Sequence, residues 1–370
     1  MLWEIIMKVA FITDYNNHTW IWTQNYKLFM WLKKQWLDID IVNLVSPQWY
    51  KGTPNYWKNI ISNICNNIYL SFWYWVFYKF PKELKKLLKE WKYTHVILGH
   101  QWLAYLWEKL QKLWFKVTII IHDLFTLYWD KHGVNEFIYN NFLLNKIDKI
   151  KNIIFISEFT EKDYERYYHS LKNHNYRIIY QWIDKQDING EAKEFLMKKY
   201  NLKDKKIIIN VWSESPRKNI KTYLEVANHF QDNKDLLFVR IWKPSSESKK
   251  YIEEKKLDNV LYCSWISDEE LIARYDIAKI VLSTSTLEWY GRQIFEWYLY
   301  DNYIVTSNVS DVKKIFKWNK NVFIVDDAYS WEKYINNIEK IITLKEYNEL
   351  LVIPDSRSEY NQYFEFLNKL

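Results

Sequence analysis

Short apolar runs alternate with longer stretches that are apolar on one face only, and the alternation runs through two halves of the chain. In the first half MKVAFITD, DIDIVNLV, THVILGH, KVTIIIHD and NIIFISE read as strands, each bounded by turn formers. Tyr26–Lys34, residues 81–90 (PKELKKLLKE, with a proline near its start) and a stretch from Glu161 read as the helices between them. RIIYQ closes the half. The polar, helix-prone segment 184–204 connects to a second half with strands KIIINV, LLFVRI, IVLSTS, NYIVTS and NVFIVDD. Its helices are expected from Asn219, over 246–256, over SDEELIARYDIA and over RQIFEWYLY; Ser267 and Glu270 are spaced as a capping box. This β–α alternation predicts an α/β chain with parallel sheets covered on both faces. The expected domains are 1–183 and 184–350, with a helix in 351–370 crossing back to the first domain. Open sheets of this kind take ligands at the carboxyl ends of their strands, and every motif described below follows a strand.

The chain has 370 residues, 49% hydrophobic and 26% charged, a soluble globular balance that suits two domains. It has no apolar run long enough to span a bilayer. MLWEIIMKVAFITD lacks the layout of a signal peptide and reads as a first strand, with Met7 an alternative start. Cys65 and Cys263 lie far apart, so a reduced, cytoplasmic compartment is the default. The net charge of +7 is spread along the chain. It reads as a solvated surface, and it also suits an anionic partner: a nucleoside diphosphate or the inner face of a membrane. Nothing marks a nucleic-acid module or a metal-ligand cluster.

One feature of the composition departs from the ordinary. There are 22 Trp and 5 Gly, where average usage of roughly 7% predicts about 26 glycines. Trp36, Trp182, Trp212 and Trp242 stand at helix ends and strand-end turns, positions that favour glycine. Most of the tryptophans are therefore read as glycines of the living organism, encoded by UGA in a lineage that reads this codon as glycine. Trp20, Trp22, Trp289, Trp297 and Trp318 are further suspects.

The segment EWYGRQIFE, Glu288 to Glu296, follows IVLSTS and runs into a helix. Its two carboxylates lie eight positions apart around a turn that holds Gly291. The amides of such a turn suit a diphosphate and the carboxylates suit sugar hydroxyls. Upstream, VWSESPRKN puts Arg217 and Lys218 before a helix that Asn219 is expected to cap. Adjacent cations there suit a pyrophosphate leaving group, although an Arg–Lys pair alone is usually a solvated face.

Together these segments resemble the glutamate–seven residues–glutamate motif and the Gly…Arg-Lys-Asn segment of retaining GT-B glycosyltransferases, in particular family 4 (glycosyl transferases group 1). That family has Glu-Gly-Phe-Gly at the first glutamate; Tyr290 replaces the Phe here. The resemblance covers most of residues 7–330 and is weakest over about 45–115. It implies the GT-B architecture, two Rossmann-like, doubly wound domains facing across a cleft. Glu288 would contact the donor sugar and Glu296 the ribose. Arg217 and Lys218 would neutralise the leaving nucleoside diphosphate, and the amides after Gly291 would meet its phosphates. Trp22, Trp212, Trp289, Tyr290, Arg292 and Gln293 complete the implied donor-binding set. His122, at the end of KVTIIIHD, would face the donor sugar; its alternative reading is a satisfied strand-end histidine, as for His100 and His229.

The implied reaction moves a sugar from a nucleoside-diphosphate sugar to a carbohydrate or lipid-linked acceptor, with retention and without cofactor or metal. The implied setting is cell-envelope polysaccharide or glycolipid synthesis in the cytoplasm. The aromatic stretch IYLSFWYWVFYKFP and the basic PKELKKLLKE read as core or as a peripheral membrane contact. Two alternatives stay open: an epimerase or phosphorylase on the same fold, and, if the tryptophans are real, a non-catalytic sugar-nucleotide-binding protein.

Overall fold

The computed structural model describes residues 8–13, 20–35, 38–43, 80–90, 93–128, 137, 139–181, 183, 185–211, 213–344 and 356–369. The chain divides into two compact units, Met1–Trp182 with Arg357–Leu370, and Ile183–Ser356. The first contains β1 (Lys8–Thr13), β2 (Asp38–Asn43), β3 (His95–Leu98), β4 (Lys116–Ile121), β5 (Asn152–Phe155) and β6 (Asn175–Ile178), in the order β2-β1-β3-β4-β5-β6. The second contains β7 (Lys206–Val211), β8 (Leu236–Ile241), β9 (Val260–Cys263), β10 (Ala278–Ser283), β11 (Tyr303–Ser307) and β12 (Val322–Val325), in the order β12-β11-β10-β7-β8-β9. All the pairings described are parallel. Central strands such as β1, β4 and β7 are buried on both faces after their first residue, as expected when helices cover both sides of a sheet.

The strands expected from the apolar runs are present, and several boundaries move. The first helix begins at Trp20, not Tyr26. Trp20 and Trp22 therefore lie on a helix and not in a loop, because tryptophan, unlike glycine, has fair helix propensity. The helix expected from Glu161 begins at Glu158, where the Ser157 hydroxyl accepts the Thr160 amide at 3.0 Å. Ser267 caps its helix by accepting the Glu270 amide at 3.1 Å, while the Glu270 carboxylate stands 3.4 Å from Arg274. In the helix Phe80–Glu90, Leu84 and Leu88 are buried in the first unit's core and Lys82, Lys85 and Lys86 are exposed. The aromatic stretch before it lies outside the described residues, as do Trp36, Trp182 and Trp212.

Among the described residues two tryptophans have left-handed backbone: Trp114, φ 65°, and Trp265, φ 59°. Their side chains are 93% and 96% exposed. Trp242 is 45% exposed and is absent from the left-handed positions of the described residues. The local reason for suspecting glycine there is thus not a positive φ.

Candidate active site

In the second sheet β8 and β9 build out from one side of β7, and β10, β11 and β12 from the other. The chain's direction across the sheet reverses between β7 and β10, and ligands of open α/β sheets bind at the carboxyl ends beside such a reversal. Both motifs stand there. Ser213–Asn219 follows β7 and Thr284–Gly291 follows β10.

Pro216–Lys218 forms a single 3-10 turn with its proline at the first position. The turn aims both cations at one carboxylate. Arg217 Nη1 donates to Glu288 Oε2 at 2.7 Å and to the Leu287 carbonyl at 3.2 Å. Lys218 Nζ donates to Glu288 Oε1 at 2.5 Å, and Gln293 Nε2 donates to the same oxygen at 3.0 Å. Lys218 and Glu288 are buried, while Arg217 is partly exposed. Burial by itself would raise the Glu288 carboxyl, but Lys218 and then Arg217 outweigh it and hold it at about 2. Burial lowers the Lys218 ammonium, and the Glu288 charge only partly restores it.

A carboxyl moved from 4.5 to about 2 binds fewer protons folded than unfolded. Its stabilising contribution is complete above pH 4.5 and is lost as pH falls towards 2. Urea midpoints measured across that range should therefore fall less steeply in Glu288→Gln than in the parent. Equal slopes would show that the carboxylate is not held down.

The other predicted residues scatter around this cluster. The Trp289 ring lies under Arg217, 5.9 Å from centroid to guanidinium, and its carbonyl accepts from Ser310 Oγ at 2.7 Å. Tyr290 stacks on Phe295 with centroids 4.6 Å apart. Gly291 precedes the helix Arg292–Tyr298 at φ 72°, ψ 37°, a conformation that favours glycine. Arg292 Nε stands 2.7 Å from Glu296 Oε1, one helical turn on. Glu296 thus pairs within its own helix. Trp212 and the Trp22 side chain lie outside the described residues.

Asn219 is not the cap expected of it. It precedes the helix Ile220–His229 at φ 48°, ψ 51°, and its side chain makes no cap hydrogen bond. Its Nδ2 donates instead to the Ala328 carbonyl at 2.8 Å. Asparagine tolerates this left-handed conformation better than other non-glycine residues do, and the amide ties the turn to the segment after β12.

In the first unit the buried His122 is held from both sides. Gln181 Nε2 donates to Nδ1 at 3.0 Å, which places the ring proton on Nε2, 2.9 Å from the Gly99 carbonyl. Asn25 Nδ2 donates to the same carbonyl at 2.8 Å and to Thr13 Oγ1 at 2.9 Å. A Cβ on Gly99 would lie 2.7 Å from that amide nitrogen. Gln101 accepts the His122 amide at 3.2 Å and donates to Asp123 at 3.0 Å. Within its own unit His122 has the contacts of a satisfied histidine.

Thr284, Thr286 and Ser310 were not among the expected site residues. The signal for the two threonines was in plain view, in the hydroxyl run Ser283–Thr286 at the end of a buried strand.

The family described as Glycosyl transferases group 1 matches residues 192–352, which hold both motifs. No curated protein sequence matches the chain. Solved structures share its fold. The Anabaena protein Alr3699/HepE, in complex with UDP-glucose, superposes with a TM-score of 0.71 at 11% identity, covering 98% of this chain and 100% of its own. Sucrose-phosphate synthase from Thermosynechococcus elongatus gives 0.67 at 14%, covering 98% and 97%. The lipopolysaccharide outer core galactosyltransferase WaaB, in its apo form, gives 0.67 at 12%, covering 98% and 100%. The chain thus carries a glycosyl transferases group 1 domain on a GT-B fold, and it is a glycosyltransferase.

Proposed function

We propose that the chain transfers a sugar from a nucleoside-diphosphate sugar to an acceptor hydroxyl, with uridine diphosphate as the leaving group. The observation that carries this reading is the convergence of Arg217 and Lys218 at the β7–β10 reversal. Two cations fixed before the donor arrives can stabilise the charge that grows on a departing diphosphate. They supply that charge from the chain itself, so the proposed reaction takes no metal or cofactor. UDP is the choice because HepE is seen with UDP-glucose.

Glu288 accepts from Arg217, Lys218 and Gln293, and a carboxyl held at about 2 is a weak base and a weak nucleophile. We therefore read its role as holding sugar hydroxyls, with departure and attack on one face and retention at the anomeric carbon. Glu296 and the amides after Gly291 are assigned to the ribose and the phosphates, and His122 to the donor sugar. We extend the reading to a cell-envelope acceptor at the inner face of the membrane. Exposed Lys82, Lys85 and Lys86 support it as a basic face for an anionic surface.

The active chain, in this reading, has glycine where many tryptophans are written. Trp114 and Trp265, left-handed and almost fully exposed, support it. UGG codons at both positions would sink it.

Incubation with UDP-, GDP- and ADP-sugars and a panel of glycan acceptors tests the reaction. Transfer from a UDP-sugar, with the donor's anomeric configuration kept in the product by NMR, is the expected result. Inversion would remove the retaining assignment. Phosphorolysis or epimerisation without transfer would replace the function.

A further inference from the structure

We infer that Thr284 and Thr286 are positioning residues for the leaving diphosphate, an inference that rests on the reading of Arg217 and Lys218 given above. The two cations sit on a turn with little structure of its own. Pro216–Lys218 has its local hydrogen bonds from the Lys218 amide to Ser215 at 2.8 Å and from the Asn219 amide to Pro216 at 3.1 Å. The carbonyls of Arg217 and Lys218 are held from outside, by the segment that follows β10. The Thr286 amide donates to the Arg217 carbonyl at 2.7 Å and its hydroxyl stands 3.2 Å from the same oxygen. Thr284 Oγ1 lies 3.1 Å from both the Lys218 and the Asn219 carbonyls, and Thr284 is wholly buried. A hydroxyl has one proton to give, so Thr284 shares it between the two.

The same segment carries Glu288 two residues beyond Thr286. One strand end therefore grips the backbone of the cation turn and supplies the carboxylate that their side chains meet. The grip is itself anchored, because Ser307 of β11 donates its hydroxyl to the Ser285 carbonyl. The distance between the cationic groups and Glu288 is thus set twice, by side chains and by backbone. Donor binding must draw Arg217 and Lys218 onto phosphate oxygens, which loosens the side-chain half. The threonine hydroxyls then keep the turn in place, and misplacement of such groups by about 1 Å can cost on the order of a hundredfold in rate.

Thr286→Val, Thr284→Val and the double variant remove hydroxyls and keep side-chain shape and the Thr286 amide; serine at either site keeps the hydroxyl. Calorimetry with UDP and with UMP on the full chain reads the contribution of the second phosphate. The parent should prefer UDP. The double valine variant should lose about tenfold or more of that preference, the scale of one impaired charge-assisted contact, with transfer falling alongside and the serine variants keeping both. If Thr284→Val fails to fold, Thr286→Val, at a half-buried position, and Thr284→Ser still give the comparison. An unchanged preference, or an equal fall in UDP and UMP affinity, would mean that the threonines only support the fold. A folded parent that binds both nucleotides equally would overturn the diphosphate reading along with this one.

Discussion

Lys218→Met is expected to lower transfer by roughly 100- to 1,000-fold, the range found when one preorganised donor to a developing oxyanion is removed. Lys218 has two partners in prospect, the carboxylate it meets now and the diphosphate proposed to arrive, and a single substitution cannot separate them. In the variant Glu288 keeps Arg217 and Gln293, yet it remains a buried charge with half its counterion removed. Breaking a buried pair can cost about 3–5 kcal/mol when nothing else compensates; the surviving Arg217 contact should reduce this. The double variant Lys218→Met/Glu288→Gln decides what the lysine is for. If Lys218 only neutralises Glu288, the double variant regains its urea midpoint and transfers as well as Glu288→Gln alone. If it stabilises the leaving group, the double variant regains its urea midpoint and transfers far more slowly than Glu288→Gln alone. The second outcome is expected, with kcat affected more than the binding of a nucleoside without phosphate.

How far this cluster could be foreseen depends on the kind of contact involved. β7 and β10 were legible because each holds consecutive isoleucine, valine or leucine, Ile207–Ile209 and Ile280–Leu282. Both motifs were legible because Arg217 and Glu288 stood within six residues of those strands' ends. β9 went unread: three of its four residues are only half-buried, and so short a run has no period to detect. Asn219 was read as a cap because asparagine before a helix usually is one; its true acceptor, Ala328, lies 109 positions away and leaves no local trace. The pairing of Glu296 with Arg292 is the reverse case. Its i,i+4 spacing is readable in the sequence.

The printed tryptophans should respond to glycine in opposite directions. Trp114 ends a helical segment, with its amide donating to Gln111 at 2.9 Å, and Trp265 follows β9 by two residues. A left-handed conformation costs a residue with a Cβ about 1–2 kcal/mol, and side chains 93% and 96% exposed recover almost none of that by burial. Glycine escapes this strain, but its freer unfolded chain takes back about 0.4–1 kcal/mol. Trp114→Gly and Trp265→Gly should therefore each stabilise the folded chain by up to about 1 kcal/mol. Trp297 differs in every respect. It lies in the helix Arg292–Tyr298, is 1% exposed and packs edge-on to Tyr275 with centroids 6.2 Å apart. Removing a buried aromatic costs about 3–5 kcal/mol, and glycine in a helix adds roughly 1, so Trp297→Gly should be strongly destabilising in the chain as written. Thermal melts of the three variants read the signs directly. Stabilisation at Trp114 and Trp265 identifies positions built for glycine by their backbone, whatever their codons. Destabilisation there would mean that the left-handed geometry is not what the chain adopts, and the physical argument for glycine at those two sites would fall with it.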